Sequence, residues 1–217
     1  MRWYSISDPP GSDPVRLPST TTVLDVTMPQ QRRDTLIRAE MANPTSFQMK
    51  REAAMARGIA VDQWLKRCLV TGRLFGVPPA VAKQCSKLLP LVRGILAQDA
   101  PVWADHVVHD ASSGYAGTLD IVATLATGEA FVIEVKTSAY TIWPEAVAEA
   151  QLQAIAYRAA WLKMYPARPI AGIATWHVTP YLFHEVRTVP PAALNRLEAA
   201  WRLRLRQLAS RYTAMGL

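Results

Sequence analysis

The chain has few cysteines and no long apolar run. Only two of its 217 residues are cysteine, Cys68 and Cys85, and they do not form a C-x-x-C pair. The absence of a C-x-x-C pair argues against a structural zinc site, and two thiolates are too few for a four-cysteine iron–sulfur cluster. No apolar stretch approaches the roughly 20 residues that a membrane span needs. The sequence therefore predicts a globular protein without a membrane partner.

The N-terminus also lacks the features of a targeting segment. Residues 1–16 contain three prolines and a glycine, but neither the apolar core of a secretory signal nor the Arg-rich character of a transit peptide. They predict a flexible N-terminal segment. Residues 17–217 are long enough for one domain with a proper core, and the cytosol is the expected location.

Acidic side chains are fewer than basic ones. The chain has 24 Lys and Arg against 17 Asp and Glu, which gives a formal net charge of +7. An excess of positive charge raises the local concentration of polyanions and their association rate. The composition favours a nucleic-acid partner, although a basic protein without such a partner would have the same excess.

The order of predicted elements indicates the fold class. Residues 20–26 lean towards a strand, and further strands are predicted over 102–109, 114–125, 129–136, 170–178 and 181–188. Helices are predicted over 30–42, from Thr45 or Ser46 to about Val70, from Pro78 through Ile95, from Trp143 to about Met164, and over 190–213. This order predicts an α/β domain with a mixed central sheet flanked by helices.

Two carboxylates and one ammonium lie on a predicted hairpin. Side chains alternate faces along a strand, so Glu134 and Lys136 point the same way and Val135 points into the opposite, apolar layer. The turn signal at residues 127–129 joins the two strands. Their pairing is expected to bring Asp120 beside Glu134.

Such a trio suits metal-dependent hydrolysis of a phosphodiester. Mg²⁺ and Mn²⁺ prefer oxygen ligands, and two carboxylates with a backbone carbonyl leave coordination positions for water and phosphate oxygens. Lys136 can orient the nucleophile and offset negative charge in the transition state. The alternative is that Asp120 is a turn residue and that Glu134 and Lys136 belong to an ordinary solvated strand face.

Four segments carry short motifs in a fixed order. They are Leu17–Leu24 (P-S-x-T-x-hydrophobic-L), Gly114–Asp120 (G-x-x-D), Val132–Ser138 (hydrophobic-E-x-K-T) and Gln153–Tyr157 (Q-x-x-x-Y). Together they resemble the RecB-like branch of the PD-(D/E)XK nuclease superfamily, and most closely the phage exonucleases and the mitochondrial genome-maintenance exonuclease. The resemblance runs from about Leu17 to about Tyr165. It implies a restriction-endonuclease-like fold and the cytosol of a bacterium or a phage-infected host.

The resemblance also implies a role for each matched residue. Asp120 and Glu134 are expected to bind Mg²⁺ or Mn²⁺, the Val135 carbonyl to be a third ligand, and Lys136 to be the catalytic lysine. Gln153 is expected on the nucleic-acid side of the site.

Three further residues are predicted near the nucleic acid. Tyr157 shares a helix face with Gln153, one turn away, and the resemblance implies that both assist there. Thr137 ends the E-x-K-T element. Trp143 stands just beyond it at a helix entry, where its ring could stack on an unpaired base.

One position departs from the branch's pattern. The branch often carries G-x-x-x-H on an upstream helix, whereas residues 58–62 of this chain end in Asp62. A carboxylate here makes the predicted site all-oxygen, which suits Mg²⁺ and Mn²⁺. Asp62 is therefore predicted as a further metal ligand, with a weakened site or a solvated helix position as alternatives.

The sequence thus predicts a metal-dependent DNA exonuclease that acts on single-stranded DNA or on DNA ends. Two alternatives stay open. One is a non-catalytic nucleic-acid-binding protein that keeps the same fold, and the other is an endonuclease of the same superfamily. Oligomeric partners are not predicted.

Overall fold

A computed structural model of the chain describes residues 1–139, 142–181, 183–186 and 189–214. Its strands are β1 Trp3–Ile6, β2 Val15–Pro18, β3 Val102–Asp110, β4 Tyr115–Thr124, β5 Ala130–Thr137, β6 Gly172–Val178 and β7 Phe183–Val186. Its helices are α1 Thr20–Val26, α2 Gln30–Ala42, α3 Pro44–Thr71, α4 Ala82–Ile95, α5 Pro144–Met164 and α6 Pro191–Ala214, and a 3₁₀ turn over Pro79–Val81 precedes α4.

A five-stranded mixed sheet forms the centre, in the order β3-β4-β5-β6-β7. Strands β3, β4 and β5 form an antiparallel meander, β5 and β6 are parallel, and β7 is antiparallel to β6. The parallel pair needs a crossover connection, and α5 supplies it. In the tight turn between β4 and β5, Gly128 adopts a φ of 87°, which glycine tolerates without strain. The predicted α/β class, a mixed sheet flanked by helices, is confirmed.

Helices cover both faces of this sheet with apolar side chains. On one face α1, α5 and α6 contribute Leu24, Ile155 and Trp201 to a core shared with β3, β4, β5 and β6. On the other face α3 and α4 pack Leu65 and Leu88 against the sheet. Both faces are therefore shielded from water, which is where most of the stabilising apolar burial arises.

The first helix corrects one expectation. Residues 20–26 lean towards a strand because of their β-branched side chains, but they form α1. Ser19 is the N-cap, and its hydroxyl accepts a hydrogen bond from the backbone N–H of Thr22 at 2.9 Å. Thr20 then donates its hydroxyl proton to the Ala116 carbonyl at 3.2 Å. Capping and tertiary hydrogen bonds outweigh the local β preference.

The N-terminal segment, for which a flexible stretch over residues 1–16 was predicted, contains secondary structure. Strand β1 pairs antiparallel with β2 in a separate two-stranded sheet. The Tyr4 hydroxyl shares a hydrogen bond of 2.9 Å with the Thr118 hydroxyl on β4. The backbone N–H and carbonyl of Arg2 both bond to the Thr22 hydroxyl. These contacts fix β1 onto the domain.

Other boundaries follow the sequence closely. Helix α3 begins at Pro44 because Asn43, and not Thr45 or Ser46, is the N-cap. It ends before Gly72, whose left-handed φ of 67° is the predicted stop. Of the strand predicted over 181–188, residues 182, 187 and 188 lie outside the described residues. No helix in the described part of the chain combines the length and apolar character that a membrane span requires.

Candidate functional site

The hairpin of β4 and β5 brings Asp120 and Glu134 together. Its ladder runs from Thr124 opposite Ala130 to Ile121 opposite Ile133, so the next opposed positions are Asp120 and Glu134. The ladder stops there, and the strands separate into a cavity of about 440 Å³ that both residues line. The predicted proximity of the two carboxylates is confirmed.

The backbone of Val135 faces the same gap. Its N–H donates to the Asp120 carboxylate (Oδ2) at 2.9 Å. In a β-strand the N–H and C=O of one residue point towards the same neighbouring strand. The Val135 carbonyl therefore also points towards Asp120, while its side chain packs into the core beneath α3 and α4. Two carboxylates and one carbonyl thus converge on one gap.

Lys136 is held by a short chain of hydrogen bonds. Its ammonium (Nζ) lies 2.6 Å from Glu134 Oε1 and 2.9 Å from the Gln153 side-chain oxygen. Gln153 in turn donates its amide N–H to the Tyr157 hydroxyl at 3.0 Å. Gln153 and Tyr157 lie one turn apart on α5, as predicted. Tyr157 therefore accepts a hydrogen bond from Gln153, and Gln153 holds the Lys136 ammonium.

Burial and neighbouring charges shift the pKa values of Glu134 and Lys136. Glu134 is only 1% exposed. Burial, helped by the negative charge of Asp120, raises the pKa of Glu134 to about 8, although Lys136 opposes the shift. For Lys136 burial acts to lower the pKa, but Glu134 and Asp120 outweigh it, so that the pKa lies above its ordinary value. The lysine is therefore a stable cation beside a carboxylate that resists ionisation.

Among the residues that the structure describes, two buried carboxylate oxygens have no hydrogen-bond partner. They are Glu134 Oε2 and Asp62 Oδ1. An unsatisfied buried oxygen costs about 1–3 kcal/mol, and a divalent cation would satisfy it. Within the residues that the structure describes, no three His, Cys, Asp or Glu side chains are grouped so that they could hold a metal ion by themselves. A cation bound here would need the Val135 carbonyl or water to complete its shell.

Lys66 on α3 is a site residue that the sequence analysis missed. Its ammonium lies 2.8 Å from Asp62, 2.7 Å from Asp105 and 3.0 Å from Asp120. Burial acts to lower the pKa of Lys66, but the three carboxylates raise it above its ordinary value. Burial also raises the pKa of Asp62 to about 6. Only the helical spacing between Asp62 and Lys66 signals this pair in the sequence.

Two glycines explain how these elements approach one another. A Cβ atom on Gly117 would lie 2.4 Å from the Tyr157 ring, and one on Gly58 would lie 3.2 Å from the Thr137 hydroxyl. Gly117 therefore allows α5 to pack closely on β4. Gly58 allows α3 to approach β5, and this approach carries Asp62, one turn further along, to the cavity.

The remaining predicted residues lie at the edge of the site. Thr137 lines the cavity itself. Trp143 does not, but it lines an adjoining cavity of about 320 Å³ together with Lys136 and Gln153. The ring of Trp143 is 65% exposed. Arg2 also lines the main cavity. It was not predicted there because it belongs to residues 1–16, which were expected to be flexible.

Comparisons with known proteins do not assign this chain to a family. No family model and no curated protein matches the chain. Among solved structures the chain is similar to one described as the crystal structure of SSO0001, at 16% identity and a TM-score of 0.29. The match covers 47% of this chain and 49% of that one, so the chain spans about half the length of that structure.

Proposed function

We propose that this chain is a Mg²⁺- or Mn²⁺-dependent deoxyribonuclease that hydrolyses phosphodiester bonds, as an exonuclease on single-stranded DNA or DNA ends. The observation that supports it most is the buried Glu134, which shares a cavity with Asp120 and Lys136 and has one oxygen without a partner. The resemblance of the four motifs to the RecB-like nucleases points to the same chemistry. The cytosol of a bacterium or a phage-infected host is the proposed location.

The oxygens that face the gap form the proposed metal site. Asp120 and Glu134 supply carboxylates, Val135 supplies its carbonyl, and Asp62 is the further predicted ligand through its unpartnered oxygen. This donor set is all-oxygen, which fits Mg²⁺ and Mn²⁺ better than zinc. When bound, such an ion lowers the pKa of a coordinated water and neutralises charge on phosphate oxygens.

Lys136 acts as a fixed positive charge. Because its pKa lies above the ordinary value, the ammonium cannot accept a proton from water. It instead donates hydrogen bonds to Glu134 and Gln153, and its remaining N–H can orient the attacking water or stabilise a phosphoryl oxygen. The water oxygen forms a bond to phosphorus and releases one proton to the solvent, one ester P–O bond breaks, and the departing oxygen takes up a proton from the solvent.

Several features favour a nucleic acid as the substrate. The net charge of +7 attracts a polyanion. Arg2 lines the cavity and Trp143 lines the adjoining one, so a strand whose phosphate lies at Lys136 has a cation and an exposed ring within reach. The choice of DNA, and the preference for single strands and ends, come from the motif resemblance.

A second candidate function is nucleic-acid binding without turnover. It is favoured by the observation that no three acidic or imidazole side chains in the described residues form a metal cluster unaided. Under that alternative Lys66 and Lys136 serve only to neutralise the acidic residues. The two candidates differ in whether DNA is degraded when a divalent cation is present.

The test uses 5′- and 3′-labelled single- and double-stranded DNA, linear and circular, with Mg²⁺, Mn²⁺ or EDTA. We expect linear single strands to be degraded with either cation, closed circles to survive, and EDTA to stop the reaction. Lys136→Met should lower the rate at least about 100-fold, because the charge acts in the transition state. Lys50→Ala, on an exposed part of α3, is the matched control. Intact DNA under every condition contradicts the nuclease proposal, and cleaved circles indicate an endonuclease.

A further inference from the structure

Three carboxylates form a row across the central sheet. In the β3–β4 ladder Ala104 opposes Ile121 and His106 opposes Leu119, so the register sets Asp105 opposite Asp120. The β4–β5 register sets Asp120 next to Glu134. Like charges on directly opposed strand positions are destabilising. This row therefore needs positive charge within the site.

The strands are irregular where the row crosses them. Asp105 has a φ of 52°, in the left-handed region that L-residues seldom adopt. On β4, Leu119 belongs to the core beneath α5 and Ile121 to the core beneath α3, although residues two apart normally share a face. Such interruptions of the pleat are typical of functional sites. Here they bring the carboxylates of Asp105 and Asp120 to a common point.

That point is occupied by the ammonium of Lys66. The side chain is 6% exposed, and Nζ lies within 3.0 Å of one oxygen each of Asp62, Asp105 and Asp120. A lysine ammonium has three N–H donors, so each carboxylate can receive one of them. Asp120 contacts Lys66 through Oδ1, while its other oxygen faces Val135. Asp120 therefore stands between two separate positions for positive charge.

We infer that Lys66 is a built-in cation that fills the position between Asp62, Asp105 and Asp120, so that the site takes one divalent cation and not two. In two-metal sites the ions lie about 3.5–4 Å apart and share a bridging carboxylate. Asp120 occupies the position of such a bridging carboxylate, but the Lys66 ammonium lies on one side of it. Asp105 is then a positioning residue for Lys66. The count of one metal rests on the proposed function, whereas the role of Lys66 does not.

The test counts bound Mn²⁺ in the full chain without DNA, by equilibrium dialysis and by electron paramagnetic resonance of the free ion. The wild type should bind about one Mn²⁺. Lys66→Met, which keeps the length of the side chain and removes its charge, should bind about two, because three carboxylates are released and water can complete the shell of a second ion. Lys66→Arg, which keeps the charge, should stay at about one.

Each possible result of this measurement supports or overturns the inference about Lys66. Two ions on the wild type would overturn the inference, since the ammonium would then be displaced by metal. A Lys66→Met variant that binds no more Mn²⁺ than the wild type would also overturn it. If Lys66→Met folds only when Mn²⁺ is added, the inference is supported, and if it folds under neither condition, the inference fails. Lys66→Gln repeats the measurement with a polar side chain.

A double variant separates this inference from the proposed function. Glu134→Gln should remove the metal of the wild type, but Glu134→Gln combined with Lys66→Met should still bind about one Mn²⁺. A wild type that binds no metal and a Lys66→Met variant that binds one would support the role of Lys66 and contradict the nuclease proposal. One bound ion without DNA cleavage would leave Lys66 supported and direct attention to non-catalytic binding.

Discussion

Substitution of Gly117 by alanine tests how the site is assembled. The added Cβ would lie 2.4 Å from Tyr157 Cε1 and 3.0 Å from the Thr20 hydroxyl. The Tyr157 ring is buried and stiff, so it has to move by about 1 Å to reach ordinary contact distance. Overpacking of this kind costs about 1–3 kcal/mol, and the hydrogen bond from Gln153 to Tyr157 contributes about 1 kcal/mol more.

The free energy of unfolding should therefore fall by about 2–4 kcal/mol, which lowers Tm by about 4–16 °C for a domain of this size. Denaturant and thermal unfolding followed by circular dichroism measure the change. Gly76→Ala is the matched control, because no atom lies within 4 Å of a Cβ at that position. It should not destabilise the protein. Tyr157→Phe, which keeps the ring and removes the hydroxyl, isolates the hydrogen bond.

The activity of Gly117→Ala adds a second measurement. Displacement of Tyr157 moves Gln153, which holds the Lys136 ammonium, so the rate of the proposed DNA hydrolysis should fall even at temperatures where the variant is folded. If Gly117→Ala unfolds at the same denaturant concentration as Gly76→Ala, close packing of α5 on β4 is not a constraint. Space for the Tyr157 ring would then not be the reason for the glycine of the G-x-x-D motif.

Three other changes have defined outcomes. Because the folded-state pKa of Glu134 is raised to about 8, its contribution to the stability of the metal-free protein is complete below pH 4.5 and is lost as the pH rises through 8. That loss is at most about 5 kcal/mol. It should be absent in Glu134→Gln, and Mn²⁺ should offset it. Denaturant unfolding measured at a series of pH values tests this. Asp110 is buried, and hydrogen bonds from Lys163, Ser112 and Ser113 outweigh burial and hold its pKa below the ordinary value. Asp110→Asn should cost about 1–3 kcal/mol in denaturant unfolding without changing kcat, and a change in kcat at unchanged stability would contradict this structural role. Trp143→Ala should weaken binding of single-stranded DNA by about 1–3 kcal/mol and leave Tm unchanged. Fluorescence anisotropy measures the Kd, and an unaltered Kd would show that Trp143 does not contact the DNA.

Strand alternation and a turn signal were sufficient to predict the core of the site. The period of two in β5 puts Glu134 and Lys136 on one face, and the hairpin register follows from the residues at the turn. The facing of Asp120 and Glu134 is therefore a local property, because only 13 residues separate them in the chain. The helix α5 was equally accessible, since its start is marked by proline at the first position.

Features that depend on several distant elements were not predictable in this way. Lys66 interacts with Asp105 across the gap between α3 and β3, and nothing in the local sequence of either element signals the other. The strand assignment for residues 20–26 was wrong because threonine and valine favour strands, while the decisive contact is a cap from Ser19. The pairing of β1 with β2 likewise had no signal in the local sequence of residues 1–16.

The contacts of the two glycines explain why motifs far apart in the chain occur together. Gly117 of the G-x-x-D element leaves the space that Tyr157 of the Q-x-x-x-Y element fills. A side chain at either position limits what the other can be, so the two motifs form a single packing constraint. Gly58 and Thr137 form a second, weaker constraint where α3 approaches β5, because a Cβ on Gly58 would lie 3.2 Å from the Thr137 hydroxyl. Since Asp62 and Lys66 follow Gly58 on α3, a larger residue at Gly58 should move both away from Asp120 and weaken the site without touching any of its charged groups.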